Sequence, residues 1–90
     1  MRKIIAYLDV LNITCVYVSH YIGKHYNGAS FYNDGTYGVD IYALSNGYEI
    51  HHKCSGRPFY WLYRNGDIVR GGASQAQFIE YVLNDIFAAQ

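Results

Sequence analysis

The chain has 90 residues, which is enough for one folded domain and too few for two. Hydrophobic residues make up 51% of it and charged residues only 16%, a balance that excludes an intrinsically disordered chain. Seven basic and seven acidic side chains cancel, so the net charge gives no electrostatic reason to expect a nucleic-acid partner. We therefore expect a single domain over residues 1–90 with a modest core.

The sequence also argues against a membrane or a secreted location. No stretch approaches the roughly 20 uninterrupted apolar residues of a membrane-spanning helix, and Asp9 interrupts the apolar run near the N-terminus. Cys15 and Cys54 lie far apart and form no C-x-x-C pair, so reduced thiols are expected. These features predict a cytoplasmic protein with no membrane partner.

The N-terminal segment carries two competing patterns. Apolar residues from Ile4 to Ile22 recur at alternating spacings of four and three, which favours a helix over about residues 3–21. β-Branched residues crowd the second half of this segment, so the alternative is a short helix to Leu11 followed by a strand over residues 13–20. The apolar stripe suits either packing on a sheet or pairing with a second copy in a homodimer.

The middle of the chain predicts an antiparallel meander. Three dipeptides are typical of tight turns: Asn46-Gly47, Ser55-Gly56 and Asn65-Gly66. The two Asn-Gly pairs favour two-residue type I′ hairpin loops, because both central residues of that turn need a positive φ. Strands are therefore expected near residues 37–45, 48–54, 57–64 and 67–70.

The C-terminal segment predicts a helix. Ser74, with Gln77 three residues later, forms a capping box after the break at Gly71-Gly72. An apolar stripe follows at helical spacing: Phe78, Ile79, Val82, Leu83 and Ile86. The predicted fold class is therefore α+β: an N-terminal helix, with or without a strand after it, a meander of three or four antiparallel strands, and a C-terminal helix packed on one sheet face.

Two-residue turns also fix which side chains share a sheet face. The face expected beneath the C-terminal helix carries Ile41, Ile50 and Trp61. Two cross-strand charge pairs follow from the same register: Asp40 with Lys53, and Arg64 with Asp67.

The opposite face is the first candidate for a binding surface, since three adjacent strands place Tyr42, His51 and Tyr60 side by side there. An aromatic band of this kind is not expected to stay exposed to water. Three alternatives could cover it: the N-terminal helix, a protein partner, or stacked nucleic-acid bases. Tyrosine, present 11 times in the chain, is favoured at interfaces. The predicted partner contacts are this band and three aromatic residues of the glycine-rich loop at 23–36: Tyr26, Phe31 and Tyr32.

The histidines do not assemble a metal or catalytic site by their spacing. His51 and His52 are adjacent in a strand and point to opposite faces, while His20 and His25 are five apart, unlike helical ligand pairs at i and i+4. The sequence therefore predicts no metal, no cofactor and no enzyme activity. The weaker alternative is a small ribonuclease toxin that depends on His51; the Gly-Ser-His signature of such toxins with a double-stranded-RNA-binding-like fold is absent.

In size and composition the chain resembles the small inhibitors encoded by phages and mobile elements, anti-CRISPR proteins among them. This resemblance is one of general type and rests on no shared motif. It implies a non-enzymatic module that occupies the surface of a larger protein or protein complex. The alternative is a nucleic-acid-binding domain that uses an aromatic sheet face.

Overall fold

A computed structural model describes residues 1–24 and 36–88 of the chain. Its first elements are helix α1 (Arg2–Val10) and strands β1 (Cys15–Lys24), β2 (Thr36–Leu44), β3 (Tyr48–Lys53), β4 (Phe59–Arg64) and β5 (Asp67–Gly72). The C-terminal helix follows, with α-helical turns at Gln75–Phe78 and Asn84–Phe87 around a π-helical segment at Ile79–Leu83. The fold class is α+β as predicted, with five antiparallel strands in the order β1-β2-β3-β4-β5 instead of three or four.

Helix α1 ends where Asn12 adopts a left-handed backbone conformation, with φ of 59°. The Ile13 N–H donates to the Leu8 carbonyl at 2.9 Å and the Asn12 N–H to the Asp9 carbonyl at 3.0 Å, which is the hydrogen-bond pattern of a Schellman C-cap. The β-branched residues that follow then form β1. The helix predicted over residues 3–21 is therefore wrong, and the alternative of a short helix and a strand is confirmed.

The two Asn-Gly turns differ from each other. Asn65 and Gly66 both have positive φ, 52° and 84°, so this turn is confirmed, as is the predicted register that sets Arg64 opposite Asp67. At the first turn only Gly47 has a positive φ, and its N–H donates to the Leu44 carbonyl at 3.1 Å. The loop there contains three residues, 45–47, instead of two.

The longer loops change the predicted register. Between β3 and β4 the last pair is Lys53 with Phe59, so five residues form that loop. The pairings of β2 with β3 and of β3 with β4 each differ by one residue from the predicted ones. The side chains of β2 and β4 therefore exchange sheet faces relative to those of β3. Asp40 consequently pairs with His52, and its predicted pairing with Lys53 is wrong. Ile41 and Trp61, predicted beneath the C-terminal helix, pair with His51 on the opposite face.

Both helices pack on one face of the sheet. The fully buried side chains of that core are Ile4, Leu8, Ile50, Leu62, Phe78, Val82 and Leu83. Burying each side chain of this size contributes about 1.5–3 kcal/mol. The predicted apolar stripe of α1 packs in this core: Ile4 and Leu8 are buried there, so they cannot contact a second copy of the chain. A homodimer stays a prediction that this stripe no longer supports.

Two polar side chains at the start of the C-terminal helix accept backbone hydrogen bonds, and one of them connects the two helices. Ser74 Oγ accepts from the Gln77 N–H at 3.1 Å, which confirms the predicted N-cap. Gln75 Oε1 accepts from the backbone N–H groups of Lys3 at 2.8 Å and Ile4 at 3.3 Å. Gln75 thus satisfies donors in the first turn of α1, where Met1 provides no side-chain cap.

Within residues 1–24 and 36–88, no helix has the length and apolar character needed to cross a membrane.

Candidate functional site

The sheet face turned away from both helices is rich in aromatic side chains. We call it the open face, and it carries Tyr21, Tyr37, Val39, Ile41, His51, Trp61 and Tyr63. In the part of the chain that the structure describes, both helices pack on the other face and leave this one uncovered by helix. The open face is therefore the first place to look for a binding site.

An aromatic groove crosses the open face. It has a volume of about 330 Å³ and is lined by Tyr21, Tyr37, Trp61, Tyr63 and Ile68. The rings of Tyr37 and Trp61 are stacked, with centroids 6.5 Å apart and planes inclined by 27°. Ligand pockets have volumes of about 300–1,000 Å³, so this groove suits one large side chain or one planar ring.

Two glycines provide the space that the aromatic rings occupy. A Cβ atom on Gly23 would lie 2.6 Å from the Tyr37 ring, and one on Gly71 would lie 2.7 Å from the Phe59 ring. The rings therefore approach the sheet backbone more closely than any other residue at these positions would allow. Val39, on the same face, is fully buried.

His51 organises the polar part of the open face. Its Nε2 lies 3.2 Å from Glu49 Oε1 and its Nδ1 lies 3.1 Å from Tyr21 Oη. Because a carboxylate only accepts, Nε2 donates to Glu49, and in the neutral imidazole Nδ1 then accepts from the Tyr21 hydroxyl. The imidazole also stacks on the Tyr63 ring, with centroids 3.6 Å apart. Tyr21 and Tyr63, which both line the groove, are thus held by the same histidine.

Tyr21 presents a neutral hydroxyl. Burial, followed by the charge and hydrogen bond of Tyr63, raises the pKa of Tyr21 to about 12. The group therefore stays protonated at neutral pH. Charges on the face are balanced, because Glu49 and Lys53 flank His51 along β3, with Lys53 Nζ 5.4 Å from the centroid of the Tyr37 ring.

Strand β1 forms one edge of the sheet, next to the groove. Three of its apolar side chains are more than half exposed: Val16, Val18 and Ile22. A bulge between Tyr17 and Ser19 opposes strand addition at that point, because bulges twist an edge away from a partner. The regular, apolar stretch after Ser19 still offers unpaired backbone groups to another strand. The edge is therefore suited to the addition of an extended segment.

The predicted site residues do not share a surface. Tyr60 is only 4% exposed and its ring lies 5.8 Å from that of Phe78, while Tyr42 packs against the same core. His51 lies on the opposite face and is 7% exposed. The expected band of Tyr42, His51 and Tyr60 is wrong because of the shifted register. The loop residues Tyr26, Phe31 and Tyr32 lie outside the described residues.

Sequence reasoning missed Trp61, which it places on the covered face, Tyr21, which it places in a helix, and Tyr63, which it does not name as a site residue. For Trp61 and Tyr63 no local signal was present, because their face is set by the five-residue loop at 54–58, whose length Ser55-Gly56 does not fix. Only the pairing of β2 with β3 had one, since a three-residue hairpin loop ending in a left-handed glycine fits residues 45–47 as well as a two-residue loop does. Choosing that loop places Ile41 and His51 on one face.

No protein-family model matches the chain, and neither a curated protein nor a solved structure does.

Proposed function

We propose that the chain is a non-enzymatic protein-binding module whose open face receives an apolar or aromatic side chain from an extended segment of its partner. The observation that carries this proposal is the aromatic groove between Tyr21 and Ile68. Tyrosine and tryptophan are the residue types that dominate binding energy at protein interfaces.

The position of β1 supports an extended partner segment. A strand added to this edge continues the sheet, and its alternate side chains point over the open face beside Tyr21. Main-chain hydrogen bonds then provide affinity, and the groove selects one anchor side chain. The balanced charge of Glu49 and Lys53 favours an uncharged anchor.

The environment of His51 supports a role without chemistry. General acid–base catalysis requires a ring nitrogen within reach of the substrate. Both ring nitrogens of His51 are engaged, by Glu49 and by Tyr21, and the side chain is 7% exposed. The finer proposal, that the partner is a larger protein complex which the chain inhibits, rests on the general resemblance to small phage-type inhibitors.

Selection from a random peptide library displayed on phage tests the proposal. The wild-type chain is expected to enrich peptides with an aromatic or large aliphatic residue. The variant Ile68→Asp is expected to weaken those peptides at least tenfold, because it places a charge in the groove. Ile68 is 57% exposed, so this change leaves the core intact.

The matched control is Tyr81→Ala, which removes an aromatic side chain that is 63% exposed on the C-terminal helix. This variant should keep the wild-type affinity. Peptides that bind Ile68→Asp as tightly as the wild type, or that lose affinity for Tyr81→Ala, would place the binding surface elsewhere.

A second candidate function is the binding of single-stranded nucleic acid, because the stacked rings of Tyr37 and Trp61 are also suited to a base. This function predicts binding to an oligouridylate that weakens steeply as salt is raised. Absence of binding at low salt would exclude it.

A further inference from the structure

Three metal-ligand side chains meet at the other side of the sheet, beyond the aromatic site. His20 on β1 pairs with Asp40 on β2, and Cys54 follows directly after β3. Their ligand atoms all lie within 4.8 Å of one another. The three residues are far apart in sequence, so spacing along the chain could not reveal this cluster and predicted no metal.

We propose that His20, Asp40 and Cys54 form a binding site for Zn²⁺. Imidazole nitrogen, carboxylate oxygen and thiolate sulfur are the donors that zinc uses in proteins. At zinc–ligand distances of about 2.0–2.3 Å, the donors of a tetrahedral ion lie about 3.3–3.8 Å apart. The three side chains therefore reach that geometry by an adjustment of about 1 Å.

Gly38 leaves room between the donors. A Cβ atom at this position would lie 2.8 Å from His20 Cε1, 3.2 Å from His20 Nε2 and 3.3 Å from Cys54 Sγ. The imidazole and the thiol therefore come together above the residue that has no side chain. Any larger residue at position 38 would push the two donors apart.

Hydrogen bonds already hold the site together. His20 Nδ1 lies 2.7 Å from Asp40 Oδ1, and the Cys54 N–H donates to the Gly38 carbonyl at 3.0 Å. His20 and Asp40 are thus adjacent before any ion binds, and the proton that Nδ1 shares with the carboxylate is displaced when both atoms become ligands.

A polar atom without a partner lies beside the cluster. His52 is the cross-strand neighbour of Asp40, and its Nδ1 is buried with no hydrogen-bond partner among the described residues. Three protein ligands leave the fourth position of a tetrahedral zinc ion to water.

The same three residue types also occur in nucleophilic catalysis, where a carboxylate orients a histidine that activates a thiol. Acyl transfer requires free N–H donors for the oxyanion. The N–H of Cys54 donates to the Gly38 carbonyl, and the N–H of Gly38 donates to Ser55 Oγ at 3.0 Å. Both amides are engaged, so the arrangement favours metal binding over acyl transfer.

Titration of the reduced protein with Co²⁺ tests the proposal. A thiolate ligand gives cobalt a charge-transfer band in the near ultraviolet, and we expect this band to saturate at one ion per chain and to disappear when Zn²⁺ is added. The band should be lost in Cys54→Ser. The variants His20→Gln and Asp40→Asn should bind Co²⁺ at least tenfold more weakly than the wild type.

Cys15→Ser is the matched control, because Cys15 is the other free cysteine and lies outside the cluster. It should keep the full cobalt band. Gly38→Ala removes no donor but fills the space between His20 and Cys54, so it should weaken binding while circular dichroism confirms that the variant is folded.

Alkylation of the thiols gives a second measurement on the unmodified chain. Zn²⁺ should slow the reaction of iodoacetamide with Cys54 at least tenfold and leave the reaction of Cys15 unchanged. A missing cobalt band, a band that survives Cys54→Ser, or a Cys54 that reacts equally fast with and without Zn²⁺ would overturn the zinc site. If the wild type, His20→Gln and Asp40→Asn bound Co²⁺ with equal affinity, only the Cys54 thiolate would be binding the ion. That result would also overturn the three-residue site.

Discussion

His51 connects the polar and aromatic parts of the open face. It hydrogen-bonds Glu49 through one ring nitrogen and Tyr21 through the other, and it stacks on Tyr63. A buried imidazole with both nitrogens engaged fixes its neighbours, because rotating any of them leaves a polar atom without a partner. The sequence suggested His51 as a partner contact, and in the structure it holds Tyr21 and Tyr63, which line the groove.

Replacing Tyr21 with phenylalanine tests this support. The change removes the hydroxyl that donates to His51 Nδ1 and should destabilise the domain by about 1 kcal/mol, near the lower end of the range for an unsatisfied buried group because Tyr21 is partly exposed. Urea denaturation at neutral pH measures the difference. No loss of stability would contradict the hydrogen bond.

The same variant tests the raised pKa of Tyr21. In the folded state this pKa is about 12, against about 10 for an unfolded chain. The stability that the protonated hydroxyl provides is therefore complete below about pH 10 and is lost as the pH rises towards 12. Between these values wild-type stability should fall more steeply than that of Tyr21→Phe, as measured by urea denaturation across the range.

Ser74 supports the C-terminal helix through a single hydrogen bond to the Gln77 N–H. Ser74→Ala should cost about 1 kcal/mol of unfolding free energy, the usual loss for a helix N-cap. Ser19→Ala, an exposed change in β1, is the control and should stay within about 0.5 kcal/mol of the wild type. Equal effects of the two changes would show that the cap does not contribute.

Turns decide how far the elements could be predicted. The N-cap at Ser74 and the type I′ turn at Asn65-Gly66 depend on local chemistry and were predicted correctly. The turn at Asn46-Gly47 allows either a two-residue or a three-residue loop, and local sequence does not choose between them. A difference of one residue exchanges the two sheet faces. The helices and strands were therefore predictable, whereas the sheet face on which each side chain lies was not.

A pair of substitutions shows which sheet face is the core. Leu62 on β4 is fully buried beneath the helices, and Ile68 on β5 lines the groove on the open face. Leu62→Ala should cost about 2–5 kcal/mol, whereas Ile68→Ala should cost no more than about 1 kcal/mol. Chemical denaturation of both variants provides the comparison. If Ile68→Ala were the more destabilising of the two, the register expected from two-residue turns would be the correct one.

At the scale of the whole molecule, the sheet separates two candidate sites. The aromatic groove lies on the open face, and the cluster of His20, Asp40 and Cys54 lies on the other side of the sheet. Both sites combine side chains from several strands of the meander: the groove from β1, β2, β4 and β5, and the cluster from β1, β2 and the residue after β3. Their residue types were visible in the sequence, but their proximity depends on the pairing of β1 with β2 and of β2 with β3, which only the fold supplies.

Intrinsic fluorescence gives the most direct test of the central claim, that the open face is the binding surface. Trp61 is the only tryptophan of the chain and it lines the groove. Titration with a peptide selected by the wild-type chain should shift Trp61 emission to shorter wavelength and saturate at the affinity that calorimetry measures, because the anchor side chain displaces water from the indole. Calorimetric binding without any change in Trp61 emission would contradict the claim.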